Sequence, residues 1–146
     1  MRELNSVKLE FPAKSANESF ARSAVACFAA QLDPTVDELG DLKAAVSEAV
    51  TNAIVHGYPE KLGKISLRCR ILKDSVLEVQ VKDWGKGIED VELARTPAFT
   101  TGGSDRSGMG FTIMESFTDS VHVRSVPGKG TCVRMRKRLG CRLQGR

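Results

Sequence analysis

The spacing of apolar and polar residues changes period several times along the chain, and each change marks an element. Residues 4–11, Leu-Asn-Ser-Val-Lys-Leu-Glu-Phe, place Val7, Leu9 and Phe11 at alternate positions, the period of a strand with one buried face. Ser15-Ala-Asn-Glu18 has the spacing of a capping box and opens a helix to about residue 31, with Phe20, Ala24, Cys27 and Phe28 as its apolar stripe. Asp33-Pro34 interrupts the chain. Thr35-Val-Asp-Glu38 is a second capping box and opens a long helix to about His56, which Gly57-Tyr58-Pro59 ends. Strands over about 63–72 and 76–83 flank Lys73-Asp74-Ser75, a hairpin signal. Residues 84–108 are rich in Gly, Thr and Ser, with one short helical stretch near 89–95. A helix over about 109–117 follows, then strands over about 119–126 and 131–138 around Pro127-Gly-Lys-Gly130. This order predicts an α+β fold, a two-layer α/β sandwich whose mostly antiparallel mixed sheet carries helices on one face.

The bulk numbers narrow the class. At 146 residues the chain fits a single domain, 1–146, large enough to hold a core without disulfides or metal. Cys27, Cys69, Cys132 and Cys141 match no zinc spacing and read as reduced thiols, three of them within apolar segments. No apolar run approaches the roughly 20 residues of a membrane span, and Met1-Arg2-Glu3-Leu4-Asn5 lacks a signal peptide's apolar region, so a cytoplasmic protein is expected. Charge is uneven. From Val123 to Arg146 there are eight basic residues and no acidic ones, while the 122 residues before them hold 14 basic and 18 acidic. No aromatic residues interleave with these bases, so they read as a basic strand edge followed by a flexible basic tail over 139–146, not as a nucleic-acid surface.

Three stretches carry candidate chemistry. On the second helix, Glu48 and Asn52 stand four residues apart, on the border of an apolar face formed by Leu42, Ala45, Val46, Ala49, Val50, Ala53 and Ile54. There they either form a solvated rim or face a cleft, where the amide oxygen suits Mg²⁺ and the carboxylate can take a proton. His56 continues the row and reads as a C-terminal capping group. Next, Asp83-Trp84-Gly85-Lys86-Gly87 puts a carboxylate at a strand end, before two glycines that allow close approach to a flat ring or a phosphate. The alternative is a hairpin turn with an Asp cap. Third, Phe99-Thr-Thr-Gly-Gly-Ser-Asp-Arg-Ser-Gly-Met-Gly110 runs into a helix, so its backbone amides suit phosphate oxygens and Arg106 can clamp a terminal phosphate. It reads as a lid and is not a Walker A loop.

The order of these stretches is more specific than any one of them. Ser47-Glu-Ala-Val-Thr-Asn-Ala-Ile-Val-His-Gly57 resembles the N-box of the superfamily that joins gyrase-type ATPases and histidine kinases. Asp83–Gly87 resembles its G1 box, Arg106-Ser-Gly-Met-Gly-Phe111 its G2 box, and Gly130-Thr131 its late Gly-Thr pair. Within it, Asn17-Glu-Ser-Phe-Ala-Arg22, Gln31-Leu-Asp-Pro-Thr35, Val46–Ile54 and Arg106–Glu115 are similar to the anti-sigma F factors of spore-forming bacteria.

The resemblance implies a dimeric protein that binds the sporulation sigma factor F, blocks its association with RNA polymerase, and phosphorylates a serine of an anti-anti-sigma factor with ATP. It further implies Mg²⁺ on Asn52 and Glu48 as general base. Asp83 would read the adenine amine beside Gly85, Gly87 and Thr131, with ATP held by Thr100, Thr101, Arg106, Ser107, Gly108, Met109 and Gly110. Arg22 would lie on the partner surface. The lid is shorter and richer in glycine than is usual there, and the tail from Gly140 to Arg146 has no counterpart. Competing readings are a stress-response anti-sigma serine kinase, a non-catalytic nucleotide-gated binding module, and a nucleic-acid binder acting through the basic end.

Overall fold

The computed structural model describes residues 2–59, 62–95 and 110–140. Five strands form one sheet: β1 (Glu3–Pro12), β2 (Lys64–Leu72), β3 (Val76–Asp83), β4 (Ser120–Val126) and β5 (Gly130–Arg138). Their spatial order is β1-β2-β3-β5-β4, and all four pairings are antiparallel. The expected sheet was mixed; among the described residues no parallel pair exists. The reason lies in the connections. β2–β3 and β4–β5 are hairpins, and the segment between β3 and β4 returns the chain so that β5 runs against both β3 and β4.

Alternation gives the sheet two unlike faces. One buries Phe11, Ile65, Leu67, Cys69, Leu77, Val79, Val81, Val133 and Met135 under the helices. Burial pushes the Cys69 thiol up to about 12, so it packs as an inert hydrophobe. The open face is charged. At its centre Glu78 is 1% exposed, gripped on one oxygen by Arg70 (2.6 and 2.7 Å) and on the other by Arg136 (both 2.8 Å), with Arg134 at 3.9 Å. At its end the exposed Trp84 ring carries the Lys64 and Lys82 ammonium groups 4.7 and 5.0 Å from its centre.

Helix α2 (Val36–Asn52) spans the buried face. Its Thr35–Glu38 capping box forms as expected, and Leu42, Ala45, Val46, Ala49 and Val50 point into the core. Its last turn, Ala53–Gly57, widens to π geometry, a local feature common at functional sites.

Helix α1 (Ala16–Ala29) departs from the sequence reading twice. Ser15 makes no side-chain cap, because its backbone is already helical and a capping box needs an extended first residue. Glu18 pairs with Arg22 instead, at 3.3 Å. The buried stripe is Ala21, Val25 and Ala29, whereas Phe20 is 58% exposed and Cys27 faces outward. Close packing on α2 selects the small side chains and turns the large ring away from the core.

The short α3 (Val91–Ala94) is capped by Asp90, whose Oδ1 accepts from the Leu93 N–H. Arg95 after it pairs with Glu115 of α4 (Gly110–Phe117) and donates to the Val121 carbonyl. The expected tail does not begin at 139. Leu139 is fully buried, its N–H donates to Ser75 O, and the Gly140 N–H donates to Glu38 Oε1. Any basic tail is confined to 141–146, outside the described residues.

Candidate functional site

Asp83 and Thr131 face each other in register at the end of the β3–β5 pair, and Ser125 of β4 pairs with Thr131 on its other side. Just beyond them β3 leaves the sheet. Asp83 Oδ1 accepts from the Gly85 N–H at 2.9 Å, which folds the Asp-Trp-Gly turn back on itself. The turn then docks on the widened end of α2, where the Lys86 N–H donates to Gly57 O at 3.0 Å. Gly85 allows this contact, since a Cβ there would lie 2.0 Å from Gly57 O. Gly87 has φ +77, a left-handed geometry that glycine adopts without strain, and packs on Val126. Tyr58 staples the same corner. Its hydroxyl accepts from the Trp84 N–H at 2.7 Å and donates to Lys64 O at 2.8 Å.

These segments enclose a cavity of about 530 Å³ between α2 and the sheet end, a size suited to a small-molecule ligand. Asn52, Asp83, Gly87 and Thr131 line it, so four positions singled out from sequence converge there. Gly110, the first described residue of α4, lies against Asn52: a Cβ on it would stand 2.9 Å from Asn52 Nδ2. Glu48 is partly buried one turn before Asn52, outside the cavity lining. Arg22 is on α1, half-exposed and paired with Glu18. Thr100, Thr101, Arg106, Ser107, Gly108 and Met109 lie outside the described residues.

Asp83 is the charged anchor of the cavity. Burial pushes its carboxyl above the usual carboxylate range, outweighing the pull of the Gly85 and Thr131 N–H groups. A carboxylate held this way is short of hydrogen bonds from solvent and suits a ligand that brings its own donor. The wall around it is mainly apolar, with Ala49, Ala53, Val81, Ile88, Phe111 and Val133, a surface fit for a flat ring. The sequence reading missed this wall, because strand valines and helix alanines there look like any other core positions. It named Lys86 only as part of the Asp83–Gly87 turn, and the His56 that it read as a cap also lines the cavity.

Comparison with known proteins places this geometry in a family. Residues 11–137 match the histidine kinase-like ATPase domain. The anti-sigma F factor of Caldanaerobacter subterraneus subsp. tengcongensis is 57% identical over 137 residues, covering 93% of this chain and 95% of that protein. The chain belongs to the anti-sigma F factor family. The Bacillus subtilis anti-sigma F factor is 55% identical over 137 residues, covering 92% of this chain and 93% of that one. A solved structure of the RsbU and RsbW domains of Rv1364c from Mycobacterium tuberculosis shares the fold, with a TM-score of 0.68 at 19% identity over 93% of this chain and 32% of that one. A blue-light activated histidine kinase from Erythrobacter litoralis does so with a TM-score of 0.61 at 22% identity, over 84% and 42%. Family membership makes this chain an anti-sigma factor built on a kinase-type, nucleotide-binding ATPase domain. Among the described residues no helix is long and apolar enough to cross a membrane.

The Asn52–Gly110 contact gives a direct test of the site. Gly110→Ala adds a methyl group that must displace the Asn52 amide. Alanine also favours helix over glycine, so the fold is expected to hold while ATP binding weakens roughly tenfold, about 1.4 kcal/mol. Titration calorimetry beside a thermal melt separates the two effects; unchanged ATP affinity would dismiss the contact as incidental.

Proposed function

We propose that this chain is a serine kinase as well as an anti-sigma factor. It binds sigma factor F and keeps it from RNA polymerase, and it inactivates an anti-anti-sigma factor by phosphorylating a serine. The observation that carries the reading is the convergence of Asn52, Asp83, Gly87 and Thr131 on one cavity, with Gly110 against Asn52, in a chain of this family.

In this reading Asp83 accepts from the adenine amine, Thr131 and Gly87 border the ring, and the glycine-rich run ending at Gly110 meets the phosphates through its backbone amides. Arg106 lies in that run and would hold the terminal phosphate. Mg²⁺ is expected with ATP. Among the described residues no group of three His, Cys, Asp or Glu side chains could hold a metal. The Asn52 amide oxygen would hold the ion together with phosphates and water, as Mg²⁺ is commonly held. Bound there, it would neutralise phosphate charge. Glu48 takes the proton from the acceptor serine as its oxygen bonds to the γ-phosphorus and the bond to the bridging oxygen breaks, leaving ADP.

Incubation with labelled ATP, Mg²⁺ and the candidate anti-anti-sigma protein, followed by phosphosite mapping, tests the class. Label on a partner serine is the expected result; label on a histidine of this chain would overturn it. The stress-response variant predicts the same label with another sigma factor, so pull-down with sigma factor F separates the two. A second copy of the chain completes the proposed assembly, checked by sedimentation.

Arg22 is proposed for the partner surface, where it stands half-exposed on α1 and paired with Glu18. Arg22→Ala is expected to weaken sigma-factor binding about tenfold or more, in the range of an interface arginine, without altering ATP affinity. A loss of ATP binding instead would place Arg22 at the nucleotide.

A further inference from the structure

Helix α3 forms part of the cavity wall through Leu93 and Ala94, and the turn before it adds Glu89 and Asp90. The helix is weakly held by its own residues. None of its four is fully buried, Leu93 is 45% exposed, and Ala94 packs only at the edge of the core. Its backbone hydrogen bonds are local, with the Ala94 and Arg95 N–H groups donating to Asp90 O and Val91 O. A single helical turn gains little from such bonds, because nucleation is costly.

Arg95, the residue after the helix, ties this wall to its surroundings. Its Nε donates to Glu115 Oε2 at 3.1 Å, and its Nη2 donates both to the same oxygen and to the Val121 carbonyl at 3.1 Å. Glu115 belongs to α4, whose Phe111 lines the cavity and whose Gly110 abuts Asn52. Val121 belongs to β4. One guanidinium therefore joins α3 to two other elements. The planar fork of arginine suits this double task, since it presents several donors in fixed directions.

We infer that Arg95 is a positioning residue for nucleotide retention: by fixing α3 to α4 and β4 it holds that wall of the cavity in place over a bound nucleotide. This rests on the reading of the cavity as the nucleotide site. With the strut in place, Leu93 meets a ligand without a further ordering cost, and the ligand covers an apolar side chain that otherwise stands half in water. Without it, α3 is free to shift and that contact is lost. Arg95 is not among the residues that line the cavity, so the deletion removes no lining side chain. The loss falls on dissociation, where most changes in affinity at one interface appear.

The test uses the whole chain loaded with mant-ATP and chased with excess ATP in a stopped-flow instrument, with association followed separately over a concentration series. Arg95→Ala is expected to speed dissociation roughly 5-fold, the upper scale for an ion pair that stays partly in water, with association and melting point close to wild type. Glu115→Ala should speed it by less, because the bond to the Val121 carbonyl remains. The double variant should be no faster than Arg95→Ala, since the two side chains act as one unit.

An unchanged dissociation rate in Arg95→Ala would overturn the inference. So would a double variant whose two effects multiply, which would make the side chains independent. A lowered melting point with association and dissociation altered alike would make Arg95 merely structural and overturn it too. Wild type that binds mant-ATP while Arg95→Ala holds it equally well ends this inference alone. Wild type that fails to bind mant-ATP ends the nucleotide reading of the cavity with it.

Discussion

Glu48→Gln is expected to lower phosphotransfer to the serine partner by about 10²- to 10⁴-fold, the range for loss of a general base, while ATP binding stays as in wild type. Glutamine keeps the length, shape and helix propensity of glutamate, so α2 and its apolar face should be undisturbed. Glu48 sits outside the cavity lining, one helical turn from Asn52, which is why nucleotide affinity should not follow the rate. What the amide lacks is a site for the serine proton. Initial rates at saturating ATP, with a separate binding titration, make the split visible. A wild-type rate would remove Glu48 from the chemistry, and a lost ATP affinity would assign it to the nucleotide instead.

Glu78→Ala is expected to cost about 3–5 kcal/mol of stability, the usual consequence of breaking a buried ion pair from one side. Two arginines each hold one carboxylate oxygen through both Nε and Nη2, and a third stands nearby. Deleting the carboxylate leaves Arg70, Arg134 and Arg136 facing one another with no counter-charge at the centre. At this chain length a melting point lower by roughly 10 °C follows.

The pH dependence supplies a second check. Burial alone would raise the Glu78 carboxyl, but the hydrogen bonds and charges of Arg136 and Arg70 hold it below the ordinary glutamate range. A lowered acid stabilises the fold above its unfolded value, about 4.3, and loses that contribution as pH falls through the folded value. The gap between wild type and Glu78→Ala should therefore be full at neutral pH and shrink well below pH 4. A gap that stays constant on acidification would show that the carboxylate charge is not its source.

Much of the fold follows from sequence period. The strands are where alternation places them, and Thr35–Glu38 caps α2 because an extended threonine before a helical run has few other options. The reading of α1 failed for a physical reason. Hydrophobicity ranks Phe20 above Ala21, whereas the α1–α2 contact is close and admits alanine in preference to a ring. Ser15–Glu18 has the right letters, but the chain enters that helix already coiled, with the Lys14 N–H turned back to Pro12 O. In β1 only Phe11 is fully buried, since the edge strand reaches past the helices and leaves Val7 in the open.

At the site the polar members were legible, because Asn52, Asp83, Gly87 and Thr131 have few reasons to occur in that order. The cavity's apolar wall was not, since nothing in the letters distinguishes Val81 or Val133 from Val79. Nor could period alone show that the last strand lies inside the sheet, a matter of how the long connection after β3 returns.

That placement of β5 bears on how the protein is made. Strand β5, Gly130–Arg138, fits between β3 and β4, and it brings Thr131 and Val133 to the cavity. A nascent polypeptide can pair β1, β2 and β3 as it leaves the ribosome, yet β3 keeps an unsatisfied edge and β4 has no sheet to join until β5 emerges. Acquisition of nucleotide therefore waits until β5 has left the ribosome. A chain released too early exposes a sticky sheet margin and cannot gain the ligand that would stabilise it.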